Sequence, residues 1–467
     1  MRHAESGKVS KSLSCTGNIN ARACGCFVLG ISQDPDEMDH SFQSNPFIVL
    51  RNPVRIAVSD PVSKSCSVSN PLLIYSVSNP VSNPVSNPVS DSFDVAVIGG
   101  GIMGSCTAYS LAKAGKSTVL IDKSALPSPR GSSAGLSRIT RRANFGIPEL
   151  TPIMDDSFRL WEEISEKAHE ELIRQAPMLV VGKDRQMLDK MAASVEATGH
   201  APVWLSIQQT NAKYRSKFTD DYYAFEDPTA GVLRSDRCLL AVQKLFRDEG
   251  GHVLDGWPVV GVEPGEPWTK ISGPRGVVRA RWLVLCPGPW ASHVLQHLGL
   301  YLPLRSVRTT SLYCRNEQFP FSSFVDCSVE NSHYYALPAM EHPGHIKVGL
   351  HDGVEMDPNQ SQEVDISELR QKSLTYFKNY FPDLAEQFAF EQLCYYTLTP
   401  DEEFILDRHP RHRNVLFAVG FSGTGFKIAP VVGEVFSHVI QGKAPKHDVS
   451  AFAAKRFDKD KAIKSKY

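Results

Sequence analysis

The sequence predicts an α/β fold in which a Rossmann-type domain is interleaved with an α+β domain built on a mostly antiparallel sheet. Three observations carry this prediction. A glycine-rich segment, DVAVIGGGIMG at residues 94–104, joins a strand pattern to a helix pattern. Strand and helix patterns then alternate along the chain, as they do in α/β proteins. Period-two patterns with aromatic residues fill 304–347, which favours a separate antiparallel sheet.

The first glycine-rich segment has the pattern of a phosphate-binding turn. Residues 93–98 are mainly apolar and rich in β-branched side chains, which is typical of a buried parallel strand. Gly99, Gly101 and Gly104 then fit the pattern G-x-G-x-x-G. In this pattern the first glycine makes the tight turn, the second admits a pyrophosphate and the third lets the helix pack on the strand. We therefore predict that these three glycines form a cofactor-binding turn.

The elements that follow complete a dinucleotide-binding unit. The spacing predicts a helix over 103–114, with Gly115 as its terminating residue. A second strand, 117–121, ends at Asp122, which is about 20 residues beyond the motif, where a carboxylate accepts hydrogen bonds from an adenosine ribose. Strand, turn, helix, strand and acid in this order indicate an adenine dinucleotide. A purely structural glycine turn is the alternative.

Later segments extend the α/β pattern. Apolar spacing predicts a helix over 150–171. Residues 230–262 indicate a strand, a helix with Ser235 as its N-cap, and a second strand at 252–254 that returns to the first sheet. A buried strand at 281–285 precedes the turn CPGPWAS and a further helix.

A second glycine-rich bend lies in the segment 394–427, CYYTLTPDEEFILDRHPRHRNVLFAVGFSGTGFK. Its strand at 415–419 leads into a bend that contains Gly423 and Gly425. Because glycine has no side chain, the backbone N–H groups of such a bend can approach a flat or anionic ligand. Lys427 adds a cation at the start of a predicted helix. The pattern therefore predicts a ligand-binding bend.

Composition excludes several classes of function. The chain has 467 residues, 42% of them hydrophobic, which is enough for two or three domain-sized units. The net charge is −1 and no basic run stands out, so we expect no nucleic acid partner. No stretch approaches the length of about 18 apolar residues that a membrane span needs. The 10 cysteines contain no C-x-x-C pattern, so we expect no metal site and a reducing compartment.

Residues 1–92 differ in composition from the rest of the chain. The stretch 77–90 has the sequence VSNPVSNPVSNPVS. Regularly repeated prolines are incompatible with a helix or a central strand, and Asn-Pro pairs favour turns. We therefore predict a disordered, low-complexity N-terminal extension, with an unrecognised sorting signal as the alternative.

The body of the chain resembles the group of FAD-dependent amine oxidases that contains the sarcosine and glycine oxidases. The matching segments, in the order of that family, are VIGGGIMG, RGSSAGLSRITRRA, CPGPW, HYYALPAMEHPGHIKVGLHDG, CYYTLTPDEEFILDRHP and GFSGTGFKIAPVVGEV. With the patterns above, the resemblance implies an FAD-binding domain at 93–175, 230–303 and 394–457, a substrate-binding domain at 176–229 and 304–393, and a C-terminal tail at 458–467. It also implies a monomer.

The resemblance implies roles for one cysteine and three cations. In the family, a cysteine at the position of Cys394 forms a thioether to FAD; the alternative is a small buried side chain. Arg138 is expected over the flavin ring, and Arg141 and Lys427 are expected to hold the substrate carboxylate. Because Arg138 and Arg141 are three residues apart, we expect both on one helical turn. Arg142 is expected to be solvated.

Four further residues complete the predicted site. The resemblance implies that Lys347 lies on the other face of the flavin and assists the reaction with oxygen, and that His351 is an active-site histidine. Strand periodicity places both on one face, although a strand lysine is more commonly a solvated edge residue. Tyr335 and Tyr396 are expected to line the substrate pocket, with core packing as their alternative.

Two positions depart from the family pattern. Ala134 and Thr424 stand where relatives have histidines near the flavin. An alanine side chain donates no hydrogen bond, and a threonine side chain is shorter and never cationic. These changes affect flavin attachment, oxygen reactivity or substrate choice, but they leave the predicted cationic residues and Cys394 in place.

The resemblance implies oxidation of a secondary amino acid with a free carboxylate, such as sarcosine, L-pipecolate or another N-methyl amino acid, to an imine. Oxygen is then reduced to hydrogen peroxide. Three alternatives remain: an FAD dehydrogenase that passes electrons to a protein acceptor, an NAD-dependent dehydrogenase, and a flavin-binding protein without turnover. The NAD-dependent reading leaves the GFSGTGFK segment unexplained.

The C-terminal tripeptide predicts a peroxisomal location, with the cytoplasm as the alternative. Relatives commonly end in a tripeptide of the S-K-L type. This sequence ends in Ser465, Lys466 and Tyr467, in which tyrosine replaces the aliphatic last residue.

Overall fold

The computed structural model describes residues 92–316, 323–328, 332–360, 364–385 and 388–457. The predicted N-terminal extension, apart from Ser92, and the predicted C-terminal tail lie outside these residues. The described strands are β1 Ser92–Ile98, β2 Thr118–Ile121, β3 Arg138–Thr140, β4 Ile173–Gln175, β5 Met178–Gly182, β6 Val203–Leu205, β7 Tyr223–Asp227, β8 Gly231–Leu233, β9 His252–Leu254, β10 Gly261–Glu263, β11 Thr269–Gly273, β12 Gly276–Leu285, β13 Arg305–Arg315, β14 Ser323–Asp326, β15 Tyr334–Pro338, β16 His345–Leu350, β17 Val354–Glu355, β18 Phe388–Leu398, β19 Ile405–Arg408 and β20 Val415–Val419. The described α-helices are α1 Ile102–Lys113, α2 Leu150–Ala168, α3 Arg185–Glu196, α4 Ile207–Tyr214, α5 Ser235–Asp248, α6 Ala291–Gln296, α7 Ser367–Tyr380, α8 Pro382–Ala385 and α9 Gly425–Ile440.

The first sheet is the predicted Rossmann-type sheet. Its strands β9, β2, β1, β12 and β20 are neighbours in this order and run parallel, and β19 pairs antiparallel with β20. The central strand β1 is apolar because helices and loops cover both of its faces, and Val95, Ala96 and Val97 are fully buried. The predicted strand at 252–254 joins this sheet as β9.

Helices α1, α2, α5 and α9 share one hydrophobic core with the first sheet. Val97 and Leu120 from the strands lie in the same cluster as Trp161 from α2 and Val432 from α9. Helices α1 and α9 approach each other closely: a Cβ atom added at Gly433 would lie 2.6 Å from a backbone carbonyl oxygen of α1. This packing holds the start of α9, and therefore the second glycine-rich bend, beside the first.

The second sheet is mostly antiparallel, as predicted. Its order is β17-β13-β16-β15-β14-β5-β7-β6, and β18 pairs with β13. Every pair in it is antiparallel except β14 with β5. A small third sheet, β3-β8-β4, lies apart from the two large ones in the pairing pattern. The architecture is therefore the predicted combination of a Rossmann-type sheet and an α+β part.

Two local predictions differ from the structure. Ser235 is the first residue of α5 and does not cap it; instead its hydroxyl donates a hydrogen bond of 2.9 Å to the carbonyl of Gly135. Cys394 lies inside β18, a strand of the second sheet, so the predicted domain boundary at 394 falls within one continuous strand. Pairing with β13 extends over nearly all of β18, which explains why the strand does not end at the cysteine.

The described residues contain neither a membrane-spanning helix nor a metal-binding cluster. None of their helices is both long enough and apolar enough to cross a bilayer. In the same part of the chain, no cluster of three or more histidine, cysteine, aspartate or glutamate side chains has the geometry to bind a metal ion.

Candidate active site

A cavity of about 860 Å³ lies where the carboxyl ends of the parallel strands face the second sheet. This is the edge at which α/β sheets bind their ligands. The predicted site residues that line the cavity are Gly99, Gly101, Asp122, Arg138, Arg141, Tyr335, Lys347, His351, Cys394, Tyr396, Gly423, Gly425 and Lys427. Gly104 is the predicted site residue that does not line it.

The turn between β1 and α1 requires glycine at two positions. Gly99 has a φ of +106°, and a Cβ atom there would lie 2.2 Å from the carbonyl oxygen of Cys286. A Cβ atom at Gly104 would lie 1.8 Å from the carbonyl oxygen of Gly99. Gly104 therefore allows α1 to pack against the turn, which is the role that the motif gives to its third glycine.

Two side chains hold this turn in shape. The carboxylate of Asp122 accepts hydrogen bonds from the backbone N–H groups of Gly100, at 2.7 Å, and Ser124, at 2.8 Å. The hydroxyl of Ser133 accepts one from the N–H of Ile102, at 2.9 Å. Asp122 thus orders the glycine-rich turn. Its acceptance of hydrogen bonds from an adenosine ribose stays a prediction. Ser133 was missed, because nothing in a serine-rich loop marks one serine for this contact.

The predicted helical turn that carries Arg138 and Arg141 is wrong. Arg138 lies in strand β3 and pairs with Leu233 of β8, and Arg141 follows directly after the strand. The ladder with β8 satisfies the backbone groups in an extended conformation, so spacing three apart does not place the two arginines on a helix face. Both side chains nevertheless line the cavity.

Arg142 was expected to be solvated, and this expectation is wrong. Only 14% of its side chain is exposed. Its guanidinium forms an ion pair of 2.7 Å with Asp155 and lies 4.1 Å from the centre of the ring of Phe158. Arg142 therefore joins the residues after β3 to α2, outside the cavity.

Arg138 is fixed by backbone carbonyls beside the sulfur of Cys394. Its guanidinium donates to the carbonyl of Ser137 at 2.8 Å and to that of Ser132 at 3.2 Å, and also to that of Ala134. The distance from Arg138 Nη2 to Cys394 Sγ is 3.7 Å. The guanidinium therefore lies in direct contact with the sulfur of Cys394. Ala134 thus contributes its backbone carbonyl, although it lacks the side chain of the family histidine.

Lys427 and Arg141 bring two positive charges to one part of the cavity. Lys427 is the third residue of α9, and its backbone carbonyl accepts a hydrogen bond of 3.0 Å from the indole of Trp161. Its ammonium group donates to the carbonyl of Gly423 at 3.1 Å. Burial, then Arg141 and Arg138, lower the pKa of Lys427 to about 7, and burial lowers the pKa of Arg141 as well. An anion bound here would raise both pKa values again, because it stabilises the charged forms of the lysine and the arginine.

Lys347 lies in the interior of the second sheet. Its strand β16 pairs on both sides, with β13 and β15, so the lysine is 4% exposed and not a solvated edge residue. Burial and then Arg138 lower its pKa to about 7. Two positions along, a Cβ atom at Gly349 would lie 2.5 Å from the hydroxyl of Tyr335. That glycine makes room for the tyrosine ring, whose hydroxyl is 2.9 Å from that of Ser311.

His351 follows β16 and forms part of a ring stack that the sequence did not reveal. Its ring stacks on His333 at 4.4 Å and lies 5.0 Å from the ring of Tyr396. Its Nε2 atom is 3.5 Å from Oε2 of Glu402. Burial, and then the neighbouring His351, hold the pKa of His333 well below its usual value, so that ring is neutral. His333 was missed because it precedes β15 and takes no part in a periodic pattern.

Thr424 lies at the residue before α9 and lines the cavity. Its side chain makes no capping hydrogen bond to the helix. The backbone before it depends on residues with positive φ, +69° at Gly420, +43° at Ser422 and +85° at Gly423. The glycine-rich bend is therefore a turn that leads into α9, as the sequence predicts.

Comparison with known proteins agrees with this arrangement. The family "DAO: FAD dependent oxidoreductase" matches residues 94–439. Peroxisomal sarcosine oxidase from Mus musculus is 35% identical over 382 residues, which are 79% of this chain and 97% of that protein. Monomeric sarcosine oxidase from Bacillus sp. (strain NS-129) is 32% identical, over 78% of this chain and 97% of that protein.

Among solved structures, NikD, an amino acid oxidase of nikkomycin biosynthesis, superposes with a TM-score of 0.68 at 19% identity, over 78% of this chain and 97% of that one. This likeness supports the fold alone. The family match and the two relatives, with the two glycine-rich bends at one cavity, identify the enzyme class. The chain belongs to the FAD-dependent oxidoreductase family and is an amine oxidoreductase related to the sarcosine oxidases.

Proposed function

We propose that this enzyme oxidises the C–N bond of a secondary amino acid that has a free carboxylate, such as sarcosine, L-pipecolate or another N-methyl amino acid, to an imine, with O₂ as the acceptor and hydrogen peroxide as the product. The observation that carries the proposal is the pair of cations, Arg141 and Lys427, in the cavity that both glycine-rich bends line. The names of the related sarcosine oxidases support the same substrate class.

The cavity residues fit FAD. Gly99 and the N-terminus of α1 provide a place where a pyrophosphate meets backbone N–H groups without an intervening side chain. The glycines of the second bend, Gly423 and Gly425, open the other side of the cavity. We assign the adenosine part to the end near Asp122. When bound, FAD supplies the acceptor for the two electrons that leave the substrate.

Arg141 and Lys427 hold the substrate carboxylate. A planar guanidinium can donate two parallel hydrogen bonds to a carboxylate, and the lysine adds a point charge. The ring of Phe145 lies 4.6 Å from the Arg141 guanidinium and keeps it in place. The negative charge of the substrate offsets the repulsion between the two cations, so binding favours the protonated form of Lys427.

The same positive charges favour a neutral substrate amine. Arg138, Arg141 and Lys427 all act on this part of the cavity, and an ammonium ion would face three like charges. Tyr335 and Tyr396 have pKa values that burial raises, so they remain neutral hydroxyl groups. The amine therefore binds with its lone pair available, and the reaction requires no carboxylate as general base.

We further propose that Cys394 is covalently attached to FAD. The support is the position of the sulfur in the cavity, 3.7 Å from Nη2 of Arg138. Acid precipitation of the purified enzyme tests this directly. Yellow colour in the pellet of the natural protein, and in the supernatant of Cys394→Ser, is the expected result. Colour in the supernatant of both proteins would exclude the attachment.

The overall reaction is tested by mixing the enzyme with sarcosine or L-pipecolate without oxygen. We expect the flavin absorbance near its visible maximum to bleach, and one hydrogen peroxide to form for each substrate molecule oxidised when air is admitted. Bleaching without peroxide would favour a dehydrogenase with a protein acceptor. An unchanged spectrum with every secondary amino acid would favour a flavin-binding protein without turnover.

We propose a peroxisomal location, with the cytoplasm as the alternative. The support is the C-terminal Ser465, Lys466 and Tyr467, which lie outside the described residues, and the peroxisomal relative named above. A fluorescent protein that carries the last ten residues of the chain tests the signal. Punctate fluorescence that matches a Tyr467→Leu control supports it, and diffuse fluorescence with a punctate control contradicts it.

A further inference from the structure

Glu341 lies behind Lys347, outside the residues that line the cavity. One carboxylate oxygen, Oε1, accepts a hydrogen bond of 2.8 Å from the hydroxyl of Ser137 and one of 2.9 Å from the hydroxyl of Tyr313. Ser137 is fully buried and does line the cavity. These two hydrogen bonds therefore hold the carboxylate behind a residue that lines the cavity.

Among the residues that the structure describes, the second oxygen of Glu341 has no hydrogen-bond partner. Oε2 is buried and accepts no hydrogen bond from any residue that the structure describes. A buried acceptor that stays unsatisfied costs about 1–3 kcal/mol, and more when it carries charge. An ordered water, an ion or a nearby positive charge can offset this cost.

Lys347 is a cation whose electrostatic surroundings include this carboxylate. Among the described residues its ammonium group donates one hydrogen bond, to the backbone carbonyl of Ser137 at 3.3 Å. Ser137 therefore connects the two groups: its carbonyl accepts from Lys347, and its hydroxyl donates to Glu341. The ammonium also lies 5.7 Å from the centre of the Tyr313 ring, whose hydroxyl is bound to the same carboxylate.

The charges around Lys347 make Glu341 the carboxylate that favours its cationic form. Arg138 and burial oppose protonation of the lysine, and Cys394 and Glu341 favour it. Cys394 is the proposed attachment site, and a thioether carries no charge. In the loaded enzyme the carboxylate of Glu341 thus remains as the negative group that offsets Arg138.

We propose that Glu341 is a positioning residue that, held by Ser137 and Tyr313, increases the fraction of Lys347 that is cationic at neutral pH. A cationic Lys347 stabilises the negative charge that develops on O₂ as it is reduced, and this consequence rests on the proposed oxidase function. The protonation of Lys347 itself does not depend on turnover. The site would thus owe its oxygen reactivity in the neutral range to a residue that touches neither cofactor nor substrate.

A spectral pH titration of the flavin-loaded enzyme tests the proposal. The transition that is present in the natural protein and absent in Lys347→Met belongs to Lys347. In Glu341→Gln, which can still accept the bonds from Ser137 and Tyr313, we expect this transition to move about one pH unit lower, because one nearby charge is removed. On the alkaline side the protonated fraction then falls about tenfold. An unmoved transition, or none that depends on Lys347, overturns the proposal.

A second variant covers the case in which Glu341→Gln does not fold. Ser137→Ala removes the hydroxyl that holds the carboxylate, and we expect a smaller shift in the same direction. A shift to higher pH contradicts the proposal. Because the titration needs bound flavin but no substrate, a moved transition together with absent peroxide formation would reject the oxidase function and leave the role of Glu341 intact.

Discussion

Lys427 and Lys347 line the same cavity and have similar pKa values, about 7, but they face different partners. Lys427 lies among the cationic side chains Arg141 and Arg138, so an arriving carboxylate supplies the negative charge that its surroundings lack. Lys347 has Glu341 behind it, and therefore has a negative charge without any ligand. On the proposals above, the protonation of Lys427 at neutral pH depends on the substrate carboxylate, and that of Lys347 depends in part on Glu341.

The pKa of Lys427 predicts pH-dependent binding of carboxylates. Only the ammonium form attracts the anion, so the Kd of acetate should rise about tenfold per pH unit above pH 7, until the remaining attraction of Arg141 sets a plateau. Flavin difference spectra from pH 6 to 9 measure this Kd. In Lys427→Met, acetate should already bind weakly at pH 6, and its Kd should change little from pH 6 to 9. Equal acetate affinity of the natural enzyme at pH 6 and pH 9 would contradict the assignment.

Neighbouring arginines provide a matched pair for the second prediction. Arg141→Gln removes the charged hydrogen bonds to the substrate carboxylate, about 3 kcal/mol, so KM should rise roughly 100-fold. Arg142→Gln removes the ion pair with Asp155 and the contact with the Phe158 ring, both outside the cavity, at a cost of about 1–2 kcal/mol in stability. Its KM should stay within about twofold. Steady-state kinetics decide the point, and similar KM values for both variants would remove Arg141 from the carboxylate site.

At the scale of elements, the turn between β1 and α1 depends on one close contact. Gly104→Ala places a Cβ atom against the backbone carbonyl of Gly99. Because no side-chain rotation can separate a Cβ atom from a carbonyl group, relief of this contact requires α1 to move. We expect a loss of about 3 kcal/mol in unfolding free energy and substoichiometric flavin. Gly261→Ala in β10 is the control, since its added Cβ makes an ordinary contact of 3.7 Å. The unfolding free energy and flavin content of Gly261→Ala should be close to those of the natural protein. If Gly104→Ala also shows natural values, the predicted clash is disproved.

Elements also show where sequence patterns are sufficient and where they are not. The periodicity of β16 predicts a strand and places Lys347 and Gly349 on one face. It does not show that β13 and β15 flank this strand, which is what buries the lysine. Likewise the spacing of Arg138 and Arg141 fits a helical turn as well as a strand end, and the choice depends on pairing with β8, some distance along the chain.

At the scale of the whole molecule, the predictable parts are those whose chemistry is contiguous in sequence. The two glycine-rich bends each contain their own strand, turn and helix start, so their presence at one cavity follows from the fold class. Ser133, His333 and Glu341 contribute to the site through contacts with residues 31, 18 and 204 positions away. No local pattern marks such residues, because their neighbours are set by how the two sheets meet.

The body of the enzyme should fold without its first 91 residues. Strand β1 begins at Ser92 and pairs with β12 and β2, and the described residues from Phe93 onward form extensive hydrophobic clusters around the first sheet. A chain that begins at Ser92 should therefore keep its flavin content, its KM and, within about 0.5 kcal/mol, its unfolding free energy. A chain that begins at Val97 loses the buried Phe93 and Val95 from the central strand and should not yield a soluble flavoprotein. Absorbance, kinetics and denaturant unfolding compare the three chains, and a loss of flavin from the first truncation would show that residues 1–91 take part in the folded enzyme.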